Sequence, residues 1–424
     1  MTTKEKVSVL RLTLQGVTVG FLAGYQSGQN ILSFSPEFRD NDLRPTLSLI
    51  THTDFPDARK RLAQPWVTRQ RLHPVLSNML PEGAQREDLA QRLKVHIDNE
   101  FSLMSYLGRD LPGALIASPL DPADIPGYAL EHRPGIEPIP IPRPGPGFKF
   151  SLAGVQSKFS MRDRDGTYDV PPDGELGDWI IKPPSSRHAF VPLNEFTGMS
   201  LAQSAGIEIP HIRLVPVAKL SGLPSLNLPA EEFAYAVRRF DRSRSNRTHI
   251  EDFAQVLLRY SHEKYGSANY EQIGKVLYQF TGQPLANAQQ FARRLLVNIL
   301  LANGDAHLKN WSLIYPDAIT PELAPAYDIV TTKAYIQNEQ EFALKLGKTK
   351  KWYDVGFEHF QSWAERTQIP WRAIEPHLED TLEKARTLWP QQLTTLPMAP
   401  EHKKVLVSHW RQLHKDFRIQ DQIA

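Results

Sequence analysis

The chain of 424 residues contains no cysteine. That excludes disulfide staples, thiolate nucleophiles and cysteine-ligated zinc. Long hydrophobic runs are missing as well: no stretch reaches the roughly 18 apolar residues that a membrane helix needs. The N-terminus, MTTKEKVSVLRLTLQG, alternates without the apolar centre of a signal peptide. Neither sign of charge dominates, since 49 Lys and Arg face 47 Asp and Glu, a net of +2. A global electrostatic case for nucleic acid is therefore absent, and only local basic patches stay open. Internal repeats and long low-complexity tracts are also lacking. What is present is an ordinary globular balance, 41% hydrophobic and 23% charged. It suffices for a sizeable core and two or three subdomains. A cytoplasmic chain with no membrane contact is the expectation.

Residues 7–14, VSVLRLTL, and the following VGFLAGY read as a strand, a hairpin and a second strand; SLIT at 48–51 reads as a further short strand. Pro81 and Glu82 open a helix in LPEGAQREDLAQRLKVH, and 99–107 form another, closed by Gly108. Residues 1–130 thus make a small α/β domain. GIEPIPIPRPGPG at 135–147 is too rich in proline for a helix, which makes 131–147 a linker, free or pinned to a surface. Strand character returns in KFSLAGVQSKFSMR at 149–162, DWIIKPP at 178–184, HIRLVPVAKL at 211–220 and EEFAYAVRRF at 231–240. Between them NEFTGMSLAQSAG reads as a helix with Asn194 as its cap and Gly206 at its end. Helical spacing dominates from about 248, in EDFAQVLLRYSHEKYG, YEQIGKVLYQF and NAQQFARRLLVNILLAN, and again in the tail over 350–417. The expected fold is α+β: the small domain, a strand-rich lobe over 148–247 and a mostly helical lobe over 248–424, the last two forming a bilobal, protein-kinase-like core.

The chemistry concentrates in NGDAHLKN, residues 303–310, at the end of the apolar run LLVNILLA. Asn310, with Asp328 of PAYDIV, supplies the oxygen ligands that magnesium takes beside phosphate oxygens. Asp305 is then placed to orient a hydroxyl and take its proton. His307 and Lys309 hold the loop or steady phosphate charge. Read alone, the stretch also fits a polar turn closing a helix. SLAGVQSK at 151–158 has one glycine and no complete phosphate-loop signature, yet its backbone N–H groups suit a phosphate cradle. Lys182 ends an apolar strand, where it is either a phosphate contact or a solvated edge lysine, and Glu195 on the next helix is either its ion-pair partner or a solvated acid. The order of loop, strand lysine, helical acid, Asp-x₄-Asn loop and YD turn is the order of parts in protein kinases, although HRD and DFG strings are absent.

These strings together resemble the HipA family, the serine/threonine-kinase toxins of bacterial toxin–antitoxin modules. The resemblance runs through LPEGAQREDLA, FSLMSYLGRDLPGAL, SLAGVQSK, WIIKPP, NE at 194–195, RRFDR, HIEDFAQ, NGDAHLKN and PAYDIV. It implies ATP and Mg2+, with Asp305 as the catalytic aspartate and Asn310 and Asp328 as metal ligands. Lys182 would touch the nucleotide phosphates. Ser151 would be autophosphorylated, ejecting the loop formed by Ala153, Gly154, Val155, Gln156, Ser157 and Lys158 and silencing the kinase. Arg238, Arg239 and Phe240 would form the hinge at adenine; many relatives carry Glu where Arg238 stands. The implied partners are a HipB-like helix-turn-helix antitoxin, DNA through that antitoxin, and a translation component such as glutamyl-tRNA synthetase as substrate.

Two basic segments stand apart. RRFDRSRSNR at 238–247 reads as a solvated turn, with RNA or an acidic partner as the alternative; HKKVLVSHWRQLHKDFR at 402–418 reads as a terminal packing helix, with DNA-backbone or partner contact as the alternative. Against the kinase stand a catalytically silent platform acting with a DNA-binding partner and a phosphate-handling hydrolase. A platform has no need of base and metal ligands together, and a hydrolase needs an activated water.

Overall fold

The computed structural model describes residues 4–130, 135–141, 158–171, 176–223, 228–243 and 246–420. Ser151, Ala153, Gly154, Val155, Gln156 and Ser157 lie outside the described residues.

Alternation in the first strand, Glu5–Leu14, sends Val7 and Val9 to one face and Leu10, Leu12 and Leu14 to the other, with a register shift between Leu12 and Thr13. Both faces are covered. This strand is flanked by Val17–Tyr25, then Gln29–Phe34 and Trp66–Arg69 on one side, and by Leu115–Pro119 on the other, all antiparallel. Part of the proline-rich stretch joins the sheet, because Ile136–Pro138 pairs in parallel with Glu5–Val7. Helices Gly83–Leu93 and Glu100–Leu107 pack on the leucine face.

A second sheet of six strands runs in the order Ile212–Pro216, Phe233–Arg238, Trp179–Lys182, Phe159–Arg164, Thr167–Asp169, Leu220–Ser221. Lys182 therefore ends an interior strand, opposite Tyr235. Helix Val191–Ser204 sends Met199, Leu201 and Ala202 into the large apolar core of the remaining chain. That core is built on helices Tyr270–Phe280, Pro284–Leu300, Phe357–Thr367, Glu375–Thr395 and Pro400–Gln412, with a three-stranded sheet led by His249–Asp252 and a hairpin of Glu341–Leu346 with Thr349–Lys351. The 402–418 segment packs as expected, burying Leu406, His409 and Trp410. Among the described residues, no helix is long and apolar enough to cross a membrane.

Four local readings need correction. SLIT is a 3-10 turn, not a strand: the Thr51 hydroxyl bonds the Ser48 backbone and Glu251 takes Ser48 Oγ and Leu49 N–H, so its polar groups need no sheet. Asn194 is not a cap. The helix starts at Val191, with Pro192 fitting its first turn, and Asn194 instead clasps the backbone of Thr331. The helical spacing of EDFAQVLLRYSHEKYG yields a single α-helical turn, Phe253–Val256, after which Leu258 adopts φ +54°, and a 3-10 turn at Ser261–Glu263. In the basic 238–247 segment two of the described arginines are not solvated. Arg239 and Arg242 are buried, both paired with Asp241; Arg239 Nε and Nη2 lie 2.9 and 2.7 Å from its two oxygens, and Arg242 Nη1 lies 2.8 Å from one of them.

Candidate active site

A cleft of about 940 Å³ opens between the second sheet and the helical part of the chain. Its inner wall is the end of the Lys182 strand. Lys182 Nζ is buried and donates to Glu195 Oε1 at 2.6 Å and to Asp328 Oδ1. Burial alone would depress its pKa, but Asp328 and Glu195 outweigh that and raise it, so the ammonium keeps its charge. Two carboxylates share the Lys182 ammonium, with Lys158 as a further cation nearby. Asp328 is held down to about 2 by Lys182 against its own burial; Glu195, with burial foremost and Asp328 beside it, is pushed up to about 7.

The local sequence brings these three together. Gly198, one turn after Glu195, packs on the Ile329 backbone, where an added Cβ would stand 2.5 Å from its carbonyl oxygen. Asn194 accepts from Thr331 N at 2.9 Å and donates to its carbonyl at 3.2 Å. The helix is thereby clamped to the chain just past Asp328, which itself has φ +56°, a backbone that non-glycine residues seldom adopt.

Opposite stands the 303–310 loop. Asn303 Oδ1 accepts from Asp305 N at 3.1 Å, and its amide donates to Asn298 Oδ1 at 2.7 Å and to the Asp328 carbonyl at 3.4 Å. One side chain thus links the loop to Asp328. Gly304 N donates to Thr332 Oγ1 at 2.7 Å. The Asp305 side chain is 49% exposed to the cleft, and the Tyr265 hydroxyl donates to its Oδ1 at 2.6 Å. Desolvation raises the pKa of Asp305 above the ordinary carboxylate value, and the Tyr265 bond opposes this. Asn310 Nδ2 donates to the Asp305 carbonyl at 2.8 Å, which leaves its Oδ1 for another partner.

The expected site residues that the structure describes share this cleft. Lys158, Lys182, Arg238, Arg239, Phe240, Asp305, His307, Lys309, Asn310 and Asp328 all line the cleft. Within it, His307 is neutral, its pKa pushed down to about 3 by burial and the nearby Lys264. Lys309 is buried and engaged, donating to Asp252 Oδ2 at 2.8 Å and to Asn78. Phe240 faces Tyr327 with ring centres 5.9 Å apart, and Ile180, Val237 and Ile250 add apolar side chains to the lining of the same cleft. The guanidinium of Arg239 is turned away into the Asp241 cluster, and the backbone N–H groups of Arg238 and Arg239 bond the His211 and Asp178 carbonyls.

Comparison with known proteins now bears on this arrangement. The family described as HipA-like C-terminal domain matches residues 150–389, and the HipA N-terminal domain matches residues 10–118. The chain belongs to the HipA family, the toxin kinases of bacterial toxin–antitoxin modules. Among its HipA relatives, the Sinorhizobium fredii protein named "Putative kinase Y4dM" is 37% identical over 417 residues, 95% of this chain and 97% of the relative. The "Serine/threonine-protein kinase toxin HipA" of Shewanella oneidensis is 24% identical, covering 81% and 82%. The fold is that of HipA in the solved complex of Shewanella oneidensis MR-1 HipA, HipB and operator DNA, with TM-score 0.68, 21% identity and coverage of 95% and 97%.

Sequence reasoning about this HipA-family site missed Glu82, Asn78, Lys264, Tyr265 and Asp252, all of which line the cleft. Tyr265 sits 40 residues from Asp305 in the chain, and nothing in its neighbours marks it. Glu82 did carry a signal: it stands in LPEGAQREDLA, one of the strings on which the family resemblance rests.

Proposed function

We propose that the chain is an ATP- and magnesium-dependent serine/threonine-protein kinase and the toxin of a type II toxin–antitoxin module. One observation carries the reading: Lys182, bonded to Glu195 and Asp328, shares a single cleft with Asp305 and Asn310. Lys182 presents a compact cation to phosphate oxygens, and Glu195 fixes its direction. The donors fit magnesium: the Asp328 carboxylate and the free Oδ1 of Asn310 are hard oxygens, and phosphate oxygens complete such a shell. Magnesium, when bound, offsets the charge on the phosphates. Asp305 orients the acceptor hydroxyl and takes its proton, and its raised pKa brings it nearer the range in which a base works well. Phe240, facing Tyr327, and the apolar side chains of the cleft lining suit the adenine ring.

In this reading Ser151 is the regulatory phosphosite. Phosphate there adds about −1.5 to −2 charge facing the nucleotide, which drives the loop out. The resemblance further supports a helix-turn-helix antitoxin as partner, contact with DNA through it, and a translation component, glutamyl-tRNA synthetase among the candidates, as substrate. Incubation with γ-labelled ATP, magnesium and a cell extract tests the assignment. Label on protein supports the kinase; label released only as phosphate supports a hydrolase; no turnover supports a silent platform.

A further inference from the structure

The LPEGAQ stretch has no part in the phosphotransfer reading, yet the fold carries it into the cleft. Glu82 precedes helix Gly83–Leu93 but makes no side-chain cap to it. Its carboxylate crosses instead to the other half of the chain. Oε2 accepts from Lys264 Nζ at 2.9 Å, and Oε1 lies 3.5 Å from Lys309 Nζ. Asn78 also receives Lys309 Nζ, at 2.9 Å on its carbonyl and 3.1 Å on Oδ1, while Gln85 donates to the Lys158 carbonyl at 3.1 Å.

Both lysines bear on Asp305. Lys309 belongs to the Asp305 loop. Lys264 directly precedes Tyr265, which holds the Asp305 carboxylate, and its ammonium stands 5.5 Å from the centre of the Tyr265 ring. The Lys264 carbonyl also accepts from Leu308 N at 3.3 Å, inside the same loop. Without Glu82, Lys309 keeps Asp252 as its counter-ion at 2.8 Å, whereas among the described residues no other ion pair is found for Lys264.

We infer that Glu82 is a positioning residue for the transfer step: through Lys264 and Lys309 the N-terminal region fixes the loop that carries Asp305 and so completes the site. This rests on the phosphotransfer reading. A carboxylate that orders two buried ammonium groups orders the two segments that bear them, and a displacement of about 1 Å at a reacting group costs about 10²-fold in rate.

The test measures kcat and ATP KM for label transfer to protein by the full chain and its variants. Glu82→Gln is expected to lower kcat about 10²-fold while leaving KM within about threefold, the mark of an interaction felt in the transition state. Glu82→Asp, which keeps the charge, should recover part of the loss. Because Glu82→Gln strands an ammonium and can compromise folding, Glu82→Gln/Lys264→Met is measured beside it; it should melt near the wild type and remain slow. Wild-type kcat in Glu82→Gln, or its full return in the double variant, overturns the role. A wild-type chain that moves no label overturns the phosphotransfer reading and this role with it; wild-type transfer that Glu82→Gln matches overturns the role alone.

Discussion

Two buried charge clusters lie at the two ends of the interior strand pair, and they are built differently. At the junction with the N-terminal sheet, Arg239 places Nε, Nη1 and Nη2 on Asp241 and Ser160, and Arg242 adds the Gly113 and Leu111 carbonyls. Asp241 also accepts from Gly113 N at 2.9 Å, and burial is overcome by the two guanidinium groups, which hold its carboxyl well below the usual range. At the cleft, one ammonium serves two carboxylates, Glu195 Oε2 is buried without a partner, and the Asp328 side chain is 28% exposed to the cavity. The forked donors of arginine take up both Asp241 oxygens in the first cluster, whereas the single head of lysine leaves acceptor capacity in the second. The first cluster also keeps a buried donor without a partner, Arg242 Nε, so the two differ in degree: Arg239 and Asp241 are almost fully covered, whereas Asp328 opens its carboxylate to the cavity, where a ligand can meet it.

The comparison breaks first at Asp241. Asp241→Ala should destabilise the chain by about 3–5 kcal/mol, because two buried guanidinium groups lose their shared counter-ion. Denaturant unfolding gives that figure, and transfer per folded molecule should stay close to the wild type. Lys182→Met should lower turnover per folded molecule about 10²–10³-fold through the loss of one fixed charge at the phosphates, in addition to the stability lost when Glu195 and Asp328 are left without their shared cation. Kinetics corrected for folded protein separate the two. If Lys182→Met turns over normally, the cleft cluster is structural like the other.

A smaller effect sharpens the junction. His249 bonds the Leu47 carbonyl through Nε2 at 2.8 Å, packs against Tyr315 and lies near Asp241. Burial pushes its pKa down to about 4. A depressed folded value stabilises above the unfolded pKa, about 6.5, and that stability is lost as pH falls toward 4, since the unfolded chain binds the proton first. His249→Gln should therefore lose about 1–2 kcal/mol less than the wild type between about pH 7 and pH 5. Parallel slopes in unfolding experiments would contradict a buried neutral His249.

Most of the cleft was legible because its residues stand next to strong local signals. Lys182 ends an apolar strand, and Asp305 and Asn310 follow an apolar helix, so their positions are set by elements that periodicity reveals. The junction was not legible in the same way. RRFDRSRSNR reads as solvent-facing until the acid within it, Asp241, is seen to serve two arginines, and its other partner, Asp110, lies in the N-terminal region. Glu82 meets Lys264 across 182 positions, and no period or cap encodes such a pairing. Asn194 shows the same limit at short range. Asn before an apolar run suggests a cap, but Pro192 starts the helix earlier and frees Asn194 to clasp Thr331.

The central claim is that Asp305 is the base of a phosphotransfer site, and Asp305→Asn tests it most directly, since the change keeps shape and removes the proton acceptor. With γ-labelled ATP, magnesium and a substrate-containing extract, the wild type should label protein, and the folded variant should do so about 10²–10⁴-fold more slowly while still binding nucleotide. Equal labelling by wild type and Asp305→Asn would contradict the account.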